Sequence, residues 1–193
     1  MRSKPTLTFE KALWERGFFS IAGVDEAGRG AWAGPVAAGA VILPTDPNLL
    51  RVLDGAMDSK MMTPKERAEL EPRIRSAAAA CGVGMADNDE IDRIGILPAT
   101  RLAMARAIAA LSVSPDYLLI DYVQLPEQKI PQQSIKHGDA LSLSIACGSI
   151  LAKVSRDRWM REFAASEYPT YGFEKHKGYG TKMHQDALYQ DGP

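Results

Sequence analysis

Cysteine is scarce in this 193-residue chain, which has only Cys81 and Cys147, each set among small apolar neighbours. A disulfide scaffold needs more cysteines, and a structural zinc needs clustered Cys/His spacing that the three histidines do not provide. Both thiols are therefore expected as reduced core residues in a reducing compartment. No apolar run approaches the roughly 18 residues of a membrane span. The opening MRSKPTLTFEKALWERG has no apolar stretch of the kind that makes a secretory signal. The expectation is a cytoplasmic protein without membrane contact. An excess of either charge is missing too, since 23 Lys and Arg face 24 Asp and Glu. Such balance neither demands nor forbids a polyanionic partner, because an acidic metal site can offset a local basic face. Phosphate-loop patterns are also absent: Gly28-Arg29-Gly30 fits neither GxGxxG nor GxxxxGK, which argues against a nucleotide-cofactor enzyme.

Apolar residues make up 46% of the chain, enough to bury a core without staples, and the length suits one domain over 1–193. Thr8 followed by FEKALWERG reads as a short capped helix ending near Gly17. FFSIAGVDEA and GPVAAGAVILP are β-prone, and the short glycine turn between them makes them antiparallel neighbours. Positions 45–62 look irregular. Thr63-Pro64-Lys65-Glu66 then has the form of a capping box with proline in the first turn. CGVGMAD (81–87) reads as a third strand, and Asp87 starts further helix, broken near Gly95 and Pro98. YLLID (117–121) is a buried strand ending in an acid, and QQSIKHGD an edge strand. From Ala140 to about Ser166 the pattern predicts one long helix, interrupted only at Gly148. A loop over YPTYGFEKHKGYG and a helix over TKMHQDALYQ form a C-terminal segment from about residue 168 to 193. One α/β domain with a mixed sheet is the economical architecture.

Chemistry concentrates where these strands end. Asp25 and Glu26 close an otherwise apolar strand, where buried acids are costly unless something compensates them. Successive strand residues face opposite ways, so both can serve one site only at a strand end or bulge. Taken alone, they read equally well as residues of a hairpin turn. Asp121 is a second strand-end acid, and Asp139 follows His137-Gly138 at the start of the long helix, where it also reads as a cap. Four carboxylates at such ends offer hard oxygen ligands, which suit Mg²⁺ or Mn²⁺ rather than zinc or copper. Paired ions about 4 Å apart support in-line phosphodiester hydrolysis.

Six segments, in order, resemble the successive motifs of the ribonuclease HII family: IAGVDEAGRG with AGPV, DSK (58–60), LLID (118–121), GD (138–139), SILAKVSRD (149–157) and YGFEKHKGYGT (171–181). The resemblance spans 21 to about 184. It implies a ribonuclease H-like fold, with a five-stranded mixed sheet flanked by helices and a small helical C-terminal segment. It also implies a monomeric, metal-dependent endonuclease of RNA/DNA hybrids that acts at single ribonucleotides in duplex DNA too. Cleavage would leave 3′-hydroxyl and 5′-phosphate ends, in the service of ribonucleotide excision, DNA replication and repair. The family's catalytic metal ligands fall on Asp25, Glu26, Asp121 and Asp139. Asp157 competes for the fourth place, but it lies about 27 Å further along a continuous helix, where pairing with a neighbouring Arg on the helix surface is expected. The Gly28-Arg29-Gly30 turn matches the element that reads the ribonucleotide through its backbone, since glycines permit close approach to a 2′-hydroxyl. Tyr179 matches the tyrosine that packs on the sugar at the RNA-to-DNA junction. Lys60, Lys153 and Lys177 are phosphate-contact candidates. His176 reads either as an aid to product release or as a loop anchor.

This chain departs from the family pattern at several places. Ala31-Trp32 follows the glycine turn, Met61-Met62 follows DSK, Tyr122 replaces the common glycine after LLID, and His137 replaces a lysine. The sequence stops at Pro193, before the family's basic tail. These departures point toward weaker nucleic-acid affinity, and none removes a metal ligand.

Overall fold

The computed structural model describes residues 4–46 and 48–192. In chain order its elements are α1 (Thr8–Trp14), β1 (Ile21–Ala27), β2 (Val36–Ile42), α2 (Leu49–Val52), α3 (Pro64–Ala77), β3 (Ala80–Ala86), α4 (Asn88–Ile94) and α5 (Ile96–Ala109). There follow β4 (Tyr117–Asp121), β5 (Gln132–Ile135), α6 (Leu143–Trp159), α7 (Ala165–Glu167), α8 (Phe173–His176) and α9 (Lys182–Asp191). The strands form one sheet in the order β3-β2-β1-β4-β5. The first three are antiparallel, and β4 and β5 add parallel to β1, as the mixed sheet of the resemblance requires.

Alternation along the strands sorts the core into two layers. Ala22, Val24, Leu118 and Ile120 face α5, against Ala103, Met104 and Ala107. On the opposite face Ile21, Tyr117 and Leu119 meet Ile145, while Val41 meets Cys147, Ile150 and Leu151 of α6. Both capping boxes form: Thr63 Oγ1 accepts the Glu66 N–H, and Asp87 does the same for Glu90. Gly95, at φ +83°, separates α4 from α5.

Three expectations need correction. Thr8 is the first residue of α1 rather than its cap; its N–H is taken by Thr6 Oγ1 at 3.3 Å. Thr6 is held in place by a bridge to the chain before α6, its N–H donating to Leu141 O and its carbonyl accepting from Leu143 N–H. Asp139 does not open the long helix, because it sits in a 3₁₀ turn (Gly138–Ala140) and Ser142 caps α6. Gly148 does not interrupt that helix either. The α-helical pattern changes instead at a π-helical turn, Met160–Ala164.

The purpose of Gly148 is close approach. A Cβ on Gly39 would stand 2.2 Å from the Gly148 carbonyl oxygen, and one on Gly23 would stand 2.1 Å from the Ser144 backbone. The backbone of α6 therefore lies directly on β1 and β2, with no side chains between. Glu10, 1% exposed, ties α1 to the same helix start. Its Oε1 accepts from Ser142 Oγ at 2.6 Å, Ser144 Oγ at 2.7 Å and Ser144 N–H at 3.0 Å. Gly39→Ala is expected to lower stability by about 1–3 kcal/mol through overpacking. The reading is a fall in the urea midpoint at constant m-value; an unchanged midpoint would mean that α6 lifts from the sheet without cost.

Candidate active site

Register brings two of the acids together. Val24 pairs with Ile120 across the parallel β1–β4 ladder, so Asp25 and Asp121 come next on adjacent strands. Both fall on the α6 face, because each is one residue beyond a side chain that faces α5. The turn before α6 supplies Asp139. Ligand oxygens of Asp25, Asp121 and Asp139 all lie within 4.8 Å of one another. Glu26 points to the other side of β1, and its Oε1 is 3.5 Å from Arg29 Nη1. It stands outside the three-carboxylate cluster but close enough to act on Asp25 electrostatically.

The acids are fixed by local hydrogen bonds that leave some oxygens unused. Gly138 N–H donates to Asp121 Oδ1 at 2.7 Å, and Glu26 N–H to Asp25 Oδ1 at 2.7 Å. Ser149 acts to lower the Asp25 pKa, and its hydroxyl lies 2.9 Å from that of Ser59, both buried. Asp25 Oδ2 and Glu26 Oε2 are buried without any hydrogen-bond partner. An orphaned buried carboxylate oxygen is expensive in a closed protein, and it is the atom that a hard divalent cation would take. The donor set therefore fits Mg²⁺ or Mn²⁺.

Electrostatics agree with the geometry. Burial, then Glu26 and Asp121, hold the Asp25 carboxyl well above its ordinary range. Burial also raises Asp121, against the pull of Gly138 N–H and Lys60. Burial, followed by Asp58 and Asp121, pushes Asp139 up to about 6. For Lys60, burial works against the charge, but Asp25, Asp58 and Asp139 outweigh it and raise its pKa.

An open cleft of about 740 Å³ runs past Glu26 and Lys60, the neighbours that act on these acids. Among its lining residues are Glu26, Gly28, Arg29, Gly30, Lys60 and Tyr179. Lys153 and Arg67 line it too, and both meet Asp157: Lys153 Nζ at 2.8 Å and Arg67 Nη2 at 3.5 Å. Asp157 thus pairs with Lys153 and with Arg67 of α3 in a buried network, and not with an arginine on the helix surface as expected. It takes no part in the carboxylate cluster. Lys177 is not brought into the cleft. Its ammonium turns back on the carbonyls of Glu174 and Lys175 at the end of α8.

The two glycines of the turn differ. At Gly28, with φ +101°, a Cβ would stand 2.1 Å from Arg156 Nε, whereas a Cβ on Gly30 would meet nothing within 4 Å. Gly28 is thus required by packing, and Gly30 leaves space in the cleft. Arg156, fully buried, is a residue that sequence reasoning missed. Its guanidinium donates to Pro35 O at 2.7 Å, Lys177 O at 2.9 Å and Ala33 O at 3.1 Å, and lies 5.2 Å from the Tyr179 ring centroid. One side chain therefore joins the glycine turn to the Tyr179 loop. The only sequence signal was an arginine inside the SRD segment. His176 is a loop anchor: Gly178 N–H donates to its Nδ1 at 3.2 Å, which leaves Nε2–H for Tyr171 O at 2.7 Å. Trp32 stands away from the acids, packed beside Gly180 and 5.7 Å from the His184 ring.

The raised Asp139 pKa has a testable sign. The folded, metal-free protein keeps a proton that the unfolded chain releases near its ordinary value of 3.8. This contribution to stability is present below about pH 4 and lost as pH rises through about 6. Asp139→Asn is expected to raise the metal-free Tm at pH 7.5 by roughly 2–4 °C, the effect of about 1 kcal/mol at this chain length. Near pH 4 the substitution is expected to be neutral. Thermal melts in EDTA at the two pH values check it, and a less stable variant at pH 7.5 would contradict the assigned repulsion.

Comparison with known proteins identifies the family. The family model described as Ribonuclease HII matches residues 22–193. A Ribonuclease HII of Dehalococcoides mccartyi is 54% identical over 95% of this chain and 86% of its own length. One from Bacillus velezensis is also 54% identical, over 96% of this chain and 70% of its own. Among solved structures, ribonuclease H2 of Pyrococcus horikoshii superposes with a TM-score of 0.68 at 24% identity, covering 90% of this chain and 89% of that one. Bst-RNase HIII, solved in complex with Mn²⁺, gives 0.59 at 16% identity, over 89% and 70% of the two chains. At these identities the structures show a shared fold, while the sequence relatives carry the identity. A family model matched over residues 22–193, and relatives about half identical over nearly the whole chain, place it in the ribonuclease HII family of endoribonuclease hydrolases.

Proposed function

We propose that this chain hydrolyses the RNA strand of RNA/DNA hybrids and also cuts at single ribonucleotides embedded in duplex DNA. The observation that carries the reading is the cluster of Asp25, Asp121 and Asp139 carboxylates next to Glu26 and Lys60, which line one cleft with the Gly28–Gly30 turn and Tyr179. We read the whole chain, 1–193, as one catalytic domain whose segment from about residue 168 supplies Tyr179. The resemblance behind this reading also implies a monomer in the cytoplasm, acting in ribonucleotide excision within DNA replication and repair. Among the described residues no helix is long and apolar enough to cross a membrane.

In the proposed mechanism Asp25, Glu26, Asp121 and Asp139 would hold two Mg²⁺ or Mn²⁺ ions. When bound, such ions activate water and stabilise the leaving oxygen of an in-line displacement. Water oxygen bonds to phosphorus as the P–O3′ bond breaks, and O3′ gains a proton; the products are a 3′-hydroxyl and a 5′-phosphate. The protein's own residues select and orient. The backbone around Gly30, with open space above it, lets a 2′-hydroxyl approach. Arg29, Lys60 and Lys153 present cations to the phosphates from the cleft wall. Lys177 would join them only by leaving its present carbonyl contacts. Tyr179, backed by Lys153 at 4.8 Å and Arg156, offers its ring to the junction sugar.

The primary test is a DNA duplex with one embedded ribonucleotide, incubated with Mg²⁺, with Mn²⁺ and with EDTA. Asp121→Asn and Asp139→Asn are expected to cut turnover by orders of magnitude in folded protein. Asp157→Asn is expected to act mainly on stability, because it leaves Arg67 and Lys153 without their shared partner. The reverse ranking at matched folded fraction would sink the choice of the fourth ligand.

Recognition can be tested separately. Tyr179→Ala is expected to lose about ten- to hundredfold in kcat/KM at a lone ribonucleotide, with a smaller loss on long hybrids. Gly30→Val is expected to fold normally, since a Cβ there meets nothing, yet to lose cleavage by filling the approach to the 2′-hydroxyl. Equal losses on both substrates for Tyr179→Ala would leave that ring as a loop anchor, and full activity of Gly30→Val would remove the turn from RNA readout.

A further inference from the structure

Tyr122 directly follows Asp121 and, as a residue, is 62% exposed. Its backbone is left-handed, at φ +56°, in a tight turn closed by Val123 N–H donating to Asp121 O. A residue with a Cβ is strained there, whereas Gly or Asn adopts the conformation more readily. An exposed ring gains little from burial to offset that strain. Folding alone therefore gives no account of an aromatic residue at this position.

Its surroundings point to a ligand. The Arg29 guanidinium lies 5.9 Å from the Tyr122 ring centroid, and the same guanidinium faces Glu26 at 3.5 Å. Arg29 lines the cleft that also contains Tyr179, whereas Tyr122 stands outside that lining, across Arg29. A ring and a cation are thus displayed together on the β4 side of the carboxylates, and the cleft with Tyr179 lies on the other side of Arg29.

We propose that Tyr122 is a second sugar-packing platform for the substrate, taking a nucleotide on the β4 side of the carboxylates while Arg29 reaches the adjoining phosphate. Bases in a duplex are stacked and paired, so a ring fixed on a protein surface reaches sugars and backbone rather than base faces. Packing on the C–H face of a sugar removes apolar surface of both partners from water. Arg29, over the ring and with Nη1 turned to Glu26, has further N–H donors for phosphate oxygens. This assignment rests on the duplex-cleaving activity proposed above.

The test compares wild type with Tyr122→Phe, Tyr122→Gly and Tyr122→Asn, measuring KM and kcat on an RNA/DNA hybrid, Tm, and Mn²⁺ affinity by calorimetry. The Gly and Asn variants are expected to raise KM about tenfold, with a smaller change in kcat. They are also expected to gain roughly 2–4 °C in Tm as the strained backbone relaxes. Phe retains the ring and is expected to keep the wild-type KM. Unchanged KM in the Gly and Asn variants overturns the proposal. So does a fall in their Tm, which would make the ring a structural element. A loss of Mn²⁺ affinity matching the rise in KM also overturns it, because Tyr122 would then act only by supporting Asp121. Wild-type protein that leaves the hybrid uncut removes both this assignment and the activity it rests on, whereas normal cleavage with unaffected variants removes this assignment alone.

Discussion

Asp25, Asp121 and Asp139 repel one another, and burial makes the repulsion stronger because little water screens it. The sheet cannot release them, since two stand on neighbouring strands whose register is set by backbone hydrogen bonds. The third cannot swing away, because its turn is held between Gly138 N–H on Asp121 and the capped start of α6. Much of the surrounding structure serves that confinement. Glycine-to-backbone contact presses α6 onto β1 and β2, and Glu10 anchors the serines at the helix start. Stability is lowered locally where the three carboxylates are held in one place.

Adjacent residues of α6 divide a second task. Arg156 and Asp157 are both buried, yet they turn to different partners. Arg156 meets backbone carbonyls from the segment 33–35 and from Lys177, fixing that segment and the Tyr179 loop to each other. Asp157 meets Arg67 and Lys153, fixing α3 to the cleft wall. Neither touches the carboxylate cluster, so an SRD segment that looks catalytic on paper is a support for the cleft.

How legible these features are depends on the range of the physics involved. The capping boxes at Thr63 and Asp87 are local hydrogen-bond patterns, and they form where the sequence places them. Strand-end acids are legible because a carboxylate closing an apolar run is costly unless a cation or a donor meets it. The start of α6 is not, since Asp139 and Ser142 both suit a cap and only the turn at Gly138–Ala140 decides between them. Gly148 reads as a helix break until the sheet beneath it is known. Asp157 finds a partner 90 positions away in sequence, at Arg67, which no local pattern reveals. Arg156 is invisible for the same reason: its partners are carbonyl oxygens, which every residue carries.

The buried guanidinium of Arg156 has a mechanical consequence. It fastens the glycine-turn segment and the Tyr179 loop with three hydrogen bonds away from solvent, so the distance between them is fixed before any substrate arrives. On the function proposed above, the protein then behaves as a stiff gauge, and the double helix must do the bending and twisting that brings a ribonucleotide into place. Nucleic-acid deformation has an energy that depends on base-pair step, lowest at flexible pyrimidine–purine steps. Cutting would therefore vary with the flanking base pairs even though the enzyme touches only backbone and sugars. Sequence preference of this kind would be a property of the substrate's stiffness, expressed through a surface that does not yield.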